Sequence, residues 1–283
     1  MDIYHKKSNL NVTVENLKSQ GQIIGLVPTM GALHQGHLAL VKKALEENNT
    51  VFVSIFVNPT QFNNKEDLEK YPRTFETDIE LLKEISKNRI VIYAPSVEDI
   101  YGTNVNATDF DFDGLGDDME GQFRPGHFNG VGTIVKQLLE IVKPDNAYFG
   151  EKDFQQLMII KKLVEKFNMP VQIKGCEIYR EKDGLAMSSR NLRLTAEYRK
   201  AAPFIYKTLK AAKARFRTTS AGKVTAWVEK QFEQHQLLRL EYFTIAEVAT
   251  LKPFKRKSKN KSYRAFIAVF ADDIRLIDNI ALN

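Results

Sequence analysis

The hydrophobic positions of the first two thirds of this chain alternate between two rhythms. Ile23–Val27 is a short apolar run bounded by glycine and proline and followed by a glycine-containing turn, which predicts a strand. From His37 onward, LALVKKALEE sets apolar residues at helical spacing. Val51–Val57 reads as a buried strand, Asp78–Ile85 as part of an amphipathic helix, and Ile90–Tyr93 as another strand. Val131–Val142 predicts helix, Ala147–Phe149 a short strand end, and Gln155–Phe167 helix again. Strands alternating with helices imply a parallel sheet covered on both faces, with ligands bound at the carboxyl ends of its strands.

The rhythm changes after about Arg180. Thr195–Arg217 and Val224–His235 have helical patterns with Ser, Thr and Gly between them. Strand patterns follow at Leu240–Val248, Tyr263–Phe270 and Ile274–Leu282. The prediction is an α/β protein with two domains. Residues 1–179 form a Rossmann-like parallel sheet, and residues 180–283 a smaller α+β lid domain. The segment DGLAMSSRN lies near the junction, where closure would bring it over a ligand.

Composition narrows the class. The chain has 283 residues, 43% of them hydrophobic and 27% charged, which describes a globular protein and argues against long disorder or a fibrous repeat. A chain of this length buries roughly three quarters of its unfolded surface. The opening MDIYHKKSNL lacks an apolar core and a cleavage site, so no secretory signal is expected. Val51–Val57, the best apolar run, has strand length, so no membrane span is expected. The lone Cys176 excludes an internal disulfide framework and a thiolate zinc site, and a reducing cytoplasm is the natural reading.

The net charge of +6 raises the question of nucleic acid. Lys252–Arg264, KPFKRKSKNKSYR, holds seven Lys or Arg and no acid; without it the chain carries −1. The basicity is local. Between two strand patterns the run reads as a solvated hairpin loop, with contact to an acidic partner as the alternative. No nucleic-acid partner is expected.

The most informative segment is PTMGALHQGH, Pro28 to His37, directly after the first predicted strand. Two histidines three apart can share one side of a helix start, where unpaired N–H groups and partial positive charge attract phosphate. Imidazoles there can donate hydrogen bonds to charge building on a phosphoryl group. Gly31 and Gly36 permit close backbone approach. The plain alternative for each histidine is a structural hydrogen bond. A metal pair of His34 and His37 lacks an adjacent third ligand.

An HxGH element after a strand resembles the nucleotidyl-transferring superfamily that includes class I aminoacyl-tRNA synthetases, and Met187-Ser188-Ser189-Arg190 sits where its second, phosphate-binding signature belongs. The fuller set PTMGALHQGH, FVNPTQF, YPRT, EGQFRPGHFNGV, YFGEKDFQQ, REKDGLAMSSRN and RLIDN, in order from Pro28 to Asn279, resembles the pantoate–β-alanine ligase family. That resemblance implies ATP-dependent condensation of pantoate with β-alanine through an enzyme-bound pantoyl adenylate, with magnesium and a homodimer. It implies an ATP site at Met30, Gly31, Ala32, Leu33, His34, Gln35, Gly36 and His37, continued by Gly150, Glu151, Lys152 and Asp153, by Tyr179, and by Met187, Ser188, Ser189 and Arg190. His34, His37, Lys152, Ser188, Ser189 and Arg190 would carry the phosphate chemistry. Gln61 and Gln156 would hold pantoate, Gln61 also guiding β-alanine, while Gln155 faces solvent or core.

Tyr179 stands where the family usually has a small aliphatic residue near adenine. Asp78 and Glu120 are the magnesium candidates, since that ion needs only one or two protein carboxylates. Arg124 is a phosphate or carboxylate partner, and His127 is expected to fix its loop. Two rivals remain on the residues alone. A nucleotidylyltransferase would release the activated nucleotide without an amine, and a nucleic-acid module would bind through Lys252–Arg264 in a salt-dependent way.

Overall fold

The computed structural model describes residues 1–283. The chain runs β1 (Asp2–Tyr4), α1 (Lys7–Ser19), β2 (Ile24–Thr29), α2 (Gln35–Glu47), β3 (Thr50–Ile55), α3 (Lys65–Glu69), α4 (Phe75–Ile85) and β4 (Ile90–Tyr93). It continues through α5 (Val97–Tyr101), α6 (Glu120–Phe123), α7 (His127–Val142), β5 (Asn146–Gly150), α8 (Phe154–Lys166) and β6 (Gln172–Cys176). Three helices follow, α9 (Ala196–Ala201), α10 (Phe204–Phe216) and α11 (Ala221–Glu233), and then the strands β7 (Leu238–Glu247), β8 (Tyr263–Ala271) and β9 (Ile274–Ala281). Short 3-10 turns lie at Pro59–Gln61, Glu151–Asp153 and Ser189–Arg193.

The first six strands form one parallel sheet in the order β1-β4-β3-β2-β5-β6. From β2 the chain builds outward through β3 and β4, then returns to add β5 and β6 on the other side. That reversal makes a switch point between β2 and β5, where α/β sheets open a crevice. The register shows the opening directly. β2 and β5 pair only at Gly25–Asn146 and Leu26–Ala147, while the end of β2 stays with β3 and the end of β5 with β6. Val27–Thr29 and Tyr148–Gly150 therefore part, and the loops that follow them face each other across a gap.

The C-terminal strands form a separate antiparallel sheet, β7-β8-β9. One face packs with α10 and α11 around a core that includes Ile205, Leu209, Val228, Ile267 and Val269. Ala246 and Phe266 instead join the large core of the parallel-sheet region, with Phe266 6.1 Å from Phe154. The two sheets are thus fastened by apolar packing as well as by ion pairs. No helix is long and apolar enough to cross a membrane.

The structure departs from the sequence reading at a split helix, two edge strands and one arginine. The helical pattern Thr195–Arg217 is split at Pro203, which cannot supply the N–H that a continuous helix needs. The edge strands β1 and β6 escaped prediction because one has three residues and the other is half-exposed and contains Gly175. Arg264 is not in the solvated loop: it is a buried member of β8, stacked 3.9 Å over Phe154 and paired with Glu151 at 2.9 Å.

Candidate active site

The turn that leaves β2 is bent by glycine and held by a carboxylate. Gly31 has φ +77°, and a Cβ there would stand 3.1 Å from Asp78 Oδ2. Asp78, from the first turn of α4, accepts the N–H groups of Ala32 at 3.0 Å and Leu33 at 2.8 Å, and the Thr74 hydroxyl at 3.0 Å. This brace delivers His34 to the N-cap of α2.

His34 Nδ1 accepts the Gly36 N–H at 3.2 Å, and His37 Nδ1 faces the His34 N–H at 3.4 Å, so the pair forms a reciprocal cap. The rings stack with centroids 4.0 Å apart. Gly36 is required by that stack, since a Cβ would lie 2.9 Å from His34 Cε1. Burial, then the nearby Lys152 charge, lowers the His34 pKa to about 4. Burial and then the neighbouring His34 push His37 well below its ordinary value. Both imidazoles are neutral at pH 7. With each Nδ1 used as an acceptor, the proton sits on Nε2.

Both histidines line one cavity with Met30, Gly36, Gln61, Gly150, Lys152, Asp153, Gln156, Tyr179, Met187, Ser188, Ser189 and Arg190. The elements that bring them there are the loops after β2, β3 and β5, the first turn of α8, and the junction after β6. Lys152 pairs with Asp153 at 3.2 Å. Asn279 donates to the carbonyls of Glu151 and Lys152, pinning that turn to β9. Ser188 Oγ accepts the Arg190 N–H, and Ser189 Oγ donates to the Ala32 carbonyl, so the serine turn rests on the β2 turn. The Tyr179 carbonyl accepts the Met187 N–H at 3.0 Å, while its side chain, 43% exposed, borders the cavity.

Gln61 ends a 3-10 turn after β3. Its Oε1 accepts from Asn58 at 3.1 Å and its carbonyl accepts from His127 Nδ1 at 2.8 Å and Arg124 at 3.2 Å. Arg124 donates to His127 Nε2 at 3.0 Å. Burial and then the Arg124 charge hold His127 at about 3, so it is a neutral brace for the Gln61 loop. Of the two adjacent glutamines, Gln156 lines the cavity while Gln155 is buried. Gln155 accepts the Glu120 N–H and donates to the carbonyls of Leu115 and Asp118, stitching that loop to α8.

The two magnesium candidates are both engaged with protein partners. Asp78 and Glu120 are absent from the cavity lining, and their oxygens are occupied. Asp78 is the brace just described. Glu120, against the cost of burial, is held at about 2 by Arg275, whose two terminal nitrogens reach its oxygens at 2.7 and 2.8 Å, with Tyr242 donating at 2.8 Å. These donor sets do not fit a metal role, because each carboxylate would have to abandon buried partners. The run Asp109 to Glu120 has the spacing of a calcium-binding loop, yet Asp109, Asp111 and Asp113 also have protein partners. Asp109 accepts from Asn129, and Asp111 and Asp113 pair with Lys166 and Lys162.

Within the expected nucleotide turn, Gly31, Ala32, Leu33 and Gln35 also lie outside the cavity lining, as does Glu151. Gly31, Ala32 and Leu33 form the turn that Asp78 braces, and Glu151 pairs with Arg264. Sequence reasoning missed Asn58 and Tyr71, which line the cavity, and the stripe Val131, Ile134, Val135 and Leu138 of α7. NPTQF and YPRT carried the first two signals; the stripe is indistinguishable from core spacing. Part of the basic run is partnered: Lys252 pairs with Asp117, Lys261 with Glu247, and Lys257 donates to the carbonyls of Phe216 and Thr219.

Comparison with known proteins decides the family. The pattern of the Pantoate-beta-alanine ligase family matches residues 2–281. The chain belongs to the pantoate–β-alanine ligase family. It is 56% identical over 283 residues to the pantothenate synthetase of Christiangramia forsetii, covering 100% of both chains. The crystal structure of pantothenate synthetase from Thermus thermophilus superposes with a TM-score of 0.91 at 37% identity, over 100% of this chain and 99% of that one. The pantoate–β-alanine ligase of Francisella tularensis, solved in complex with β,γ-ATP and β-alanine, gives a TM-score of 0.80 at 37% identity, over 100% and 98%. This member of the family is therefore an enzyme, a ligase joining pantoate to β-alanine.

Proposed function

We propose that the cavity at the β2–β5 switch point carries out this ligation in two steps on ATP. A pantoate carboxylate oxygen attacks the α-phosphorus, and the bond to pyrophosphate breaks, leaving pantoyl adenylate. The β-alanine nitrogen then attacks the acyl carbon, AMP leaves with the carboxylate oxygen, and pantothenate forms. The Nε2–H groups of His34 and His37 donate to the oxygens of the α-phosphoryl group as charge builds there. Lys152 and Arg190, with the hydroxyls of Ser188 and Ser189, hold the phosphates that depart, alongside Gly150, Asp153, Met187 and Tyr179. Gln61 and Gln156 hold pantoate. Binding within the cavity shelters the reactive acyl adenylate from water.

The observation that carries this reading is the convergence of two separate phosphate-suited elements on one cavity. The histidine turn after β2 and the serine–arginine turn lie more than 150 residues apart in sequence, yet Ser189 Oγ bonds Ala32 directly at 3.1 Å. ATP as co-substrate accords with the nucleotide complex of the Francisella relative. No step is assigned to magnesium, because Asp78 and Glu120 are engaged elsewhere. We further read residues 180–283 as a lid domain, the enzyme as a homodimer, and its compartment as the reducing cytoplasm that a lone Cys176 suits.

Pyrophosphate exchange into ATP with pantoate present and β-alanine absent tests the order of chemistry. Exchange under those conditions, and carboxylate oxygen label recovered in AMP after turnover, are the expected results. Label recovered in inorganic phosphate would overturn the adenylate route, since a phosphorylated acid breaks ATP at another bond.

A further inference from the structure

One ion-pair cluster at the cavity mouth joins Arg190 to residues that have no part in the chemistry above. Residues 62–74 leave the Gln61 turn, form the single-turn helix α3, and return to α4. Much of the polar bonding in this strap is internal: Arg73 donates to the carbonyls of Leu68, Glu69 and Tyr71, and Lys70 pairs with Glu66. Asn63 ties one end of the strap to the Pro125 carbonyl. Its middle is tied by Asp67, which divides its two oxygens between two arginines of the serine–arginine turn. Oδ2 accepts from Arg190 at 2.7 Å and Oδ1 from Arg193 at 3.2 Å. Arg193 spans onward to Asp273 at 3.0 Å. Arg190 lines the cavity beside Tyr71, its guanidinium 5.9 Å from that ring, whereas Arg193 and Asp67 do not line it.

We propose that Asp67 is a positioning residue that aims Arg190 at the triphosphate, a role resting on the phosphate-binding reading of Arg190. A guanidinium has five donors in a planar fork, and Asp67 engages one terminal nitrogen, leaving the opposite edge for phosphate. Tethered in this way, Arg190 has already given up its rotamer freedom before ATP arrives. Arg193 takes the second oxygen of Asp67, so the carboxylate is shared between two guanidiniums and is fixed at both oxygens while it holds Arg190. Asp67, the partly buried link between strap and turn, also keeps Tyr71 and Arg190 on the same wall.

The test is a double-mutant cycle on the full-length enzyme, read by pyrophosphate exchange with pantoate. Asp67→Asn should raise the KM for ATP about fivefold with a smaller loss in the rate at saturating ATP, because Arg190 is still present and only its ordering before ATP arrives is lost. Asp67→Glu, which keeps the charge, should restore most of the loss. In an Arg190→Ala background, Asp67→Asn should change the KM no further. An unchanged KM in folded Asp67→Asn, or an equal change in both backgrounds, would overturn the assignment. Thermal unfolding checks the fold, and Asp67→Ser takes the same expectation where Asp67→Asn is unfolded. A wild-type enzyme that fails to exchange would instead overturn the adenylate reading itself.

Discussion

His34 and His37 stack with centroids 4.0 Å apart, and each turns its Nδ1 toward a backbone N–H of its own helix start. The cap settles the tautomer, and the tautomer settles the chemistry: two uncharged Nε2–H donors on one cavity. A charged pair so close would repel, and burial removes that option. The helix start therefore does two jobs with the same rings.

Replacing either ring should separate those jobs. His34→Ala and His37→Ala should each slow pyrophosphate exchange on the order of 10²–10³-fold by removing a donor to the developing charge. His34→Ala should also lower stability by about 1 kcal/mol through the lost cap. Calorimetry beside exchange kinetics reads both; near-normal exchange in both folded variants would remove the histidines from the mechanism.

Acid should weaken the fold in a window that these rings define. His34 sits at about 4 and His127 at about 3, both below the 6.5 of the unfolded chain. The folded state thus binds fewer protons than the unfolded state between those values. Their stabilising contribution is complete above pH 6.5 and is lost as pH falls through the window toward 4 and 3. Glu120, at about 2 against 4.5 unfolded, adds its own loss only below pH 4.5. Urea unfolding at pH 7, 6 and 5 should show stability falling, and His127→Asn should flatten that slope by about one proton. An unaltered slope in His127→Asn would show that burial does not depress His127.

What the sequence made legible follows from how far each residue's partners lie. The histidine turn, Gln61 and Gln156 sit at strand ends or helix starts, and periodicity locates those without tertiary knowledge. Asp78 and Glu120 could not be read in this way. A carboxylate looks the same whether it faces a cation or a backbone, and their partners lie 45 residues away at Leu33 and 155 away at Arg275. The α7 stripe that lines the cavity has the spacing of core because its helix does both, packing against α1 and α8 while Val131 and Val135 also border the gap. The basic loop misled at one residue, Arg264, which the strand pattern from Tyr263 already included; composition could not show that it is buried against Phe154 and Glu151.

Glu120 offers a direct check on the magnesium expectation. Its carboxylate fastens β9 to the first residue of α6 through Arg275, and Tyr242 of β7 joins the same network. Glu120→Gln should cost about 3 kcal/mol, toward the lower end for a broken buried pair because Arg275 keeps Glu241 at 2.6 Å. The magnesium concentration that half-saturates exchange should stay where it is in the wild type. A several-fold rise in that requirement, with the fold intact, would return Glu120 to the metal.

Substrate recognition and phosphate chemistry should come apart in the remaining residues. The Gln61 side chain spends its oxygen on Asn58 but meets Met30 Sδ, a weak acceptor, with its amide nitrogen, so donor capacity remains for a substrate oxygen. Gln61→Ala or Gln156→Ala should therefore weaken pantoate use, leaving substrate polar groups unpaired at about 1–3 kcal/mol each. Lys152 differs because it brings a charge, and the charge it meets grows as pyrophosphate departs. Lys152→Ala should slow exchange even at saturating pantoate, since an interaction strengthened in the transition state is not replaced by more ground-state binding. Exchange measured across pantoate concentrations distinguishes the two cases. Excess pantoate should rescue the glutamine variants and leave Lys152→Ala slow. The opposite pattern would move Lys152 into the pantoate pocket and leave the departing phosphates to Arg190 and the serine turn.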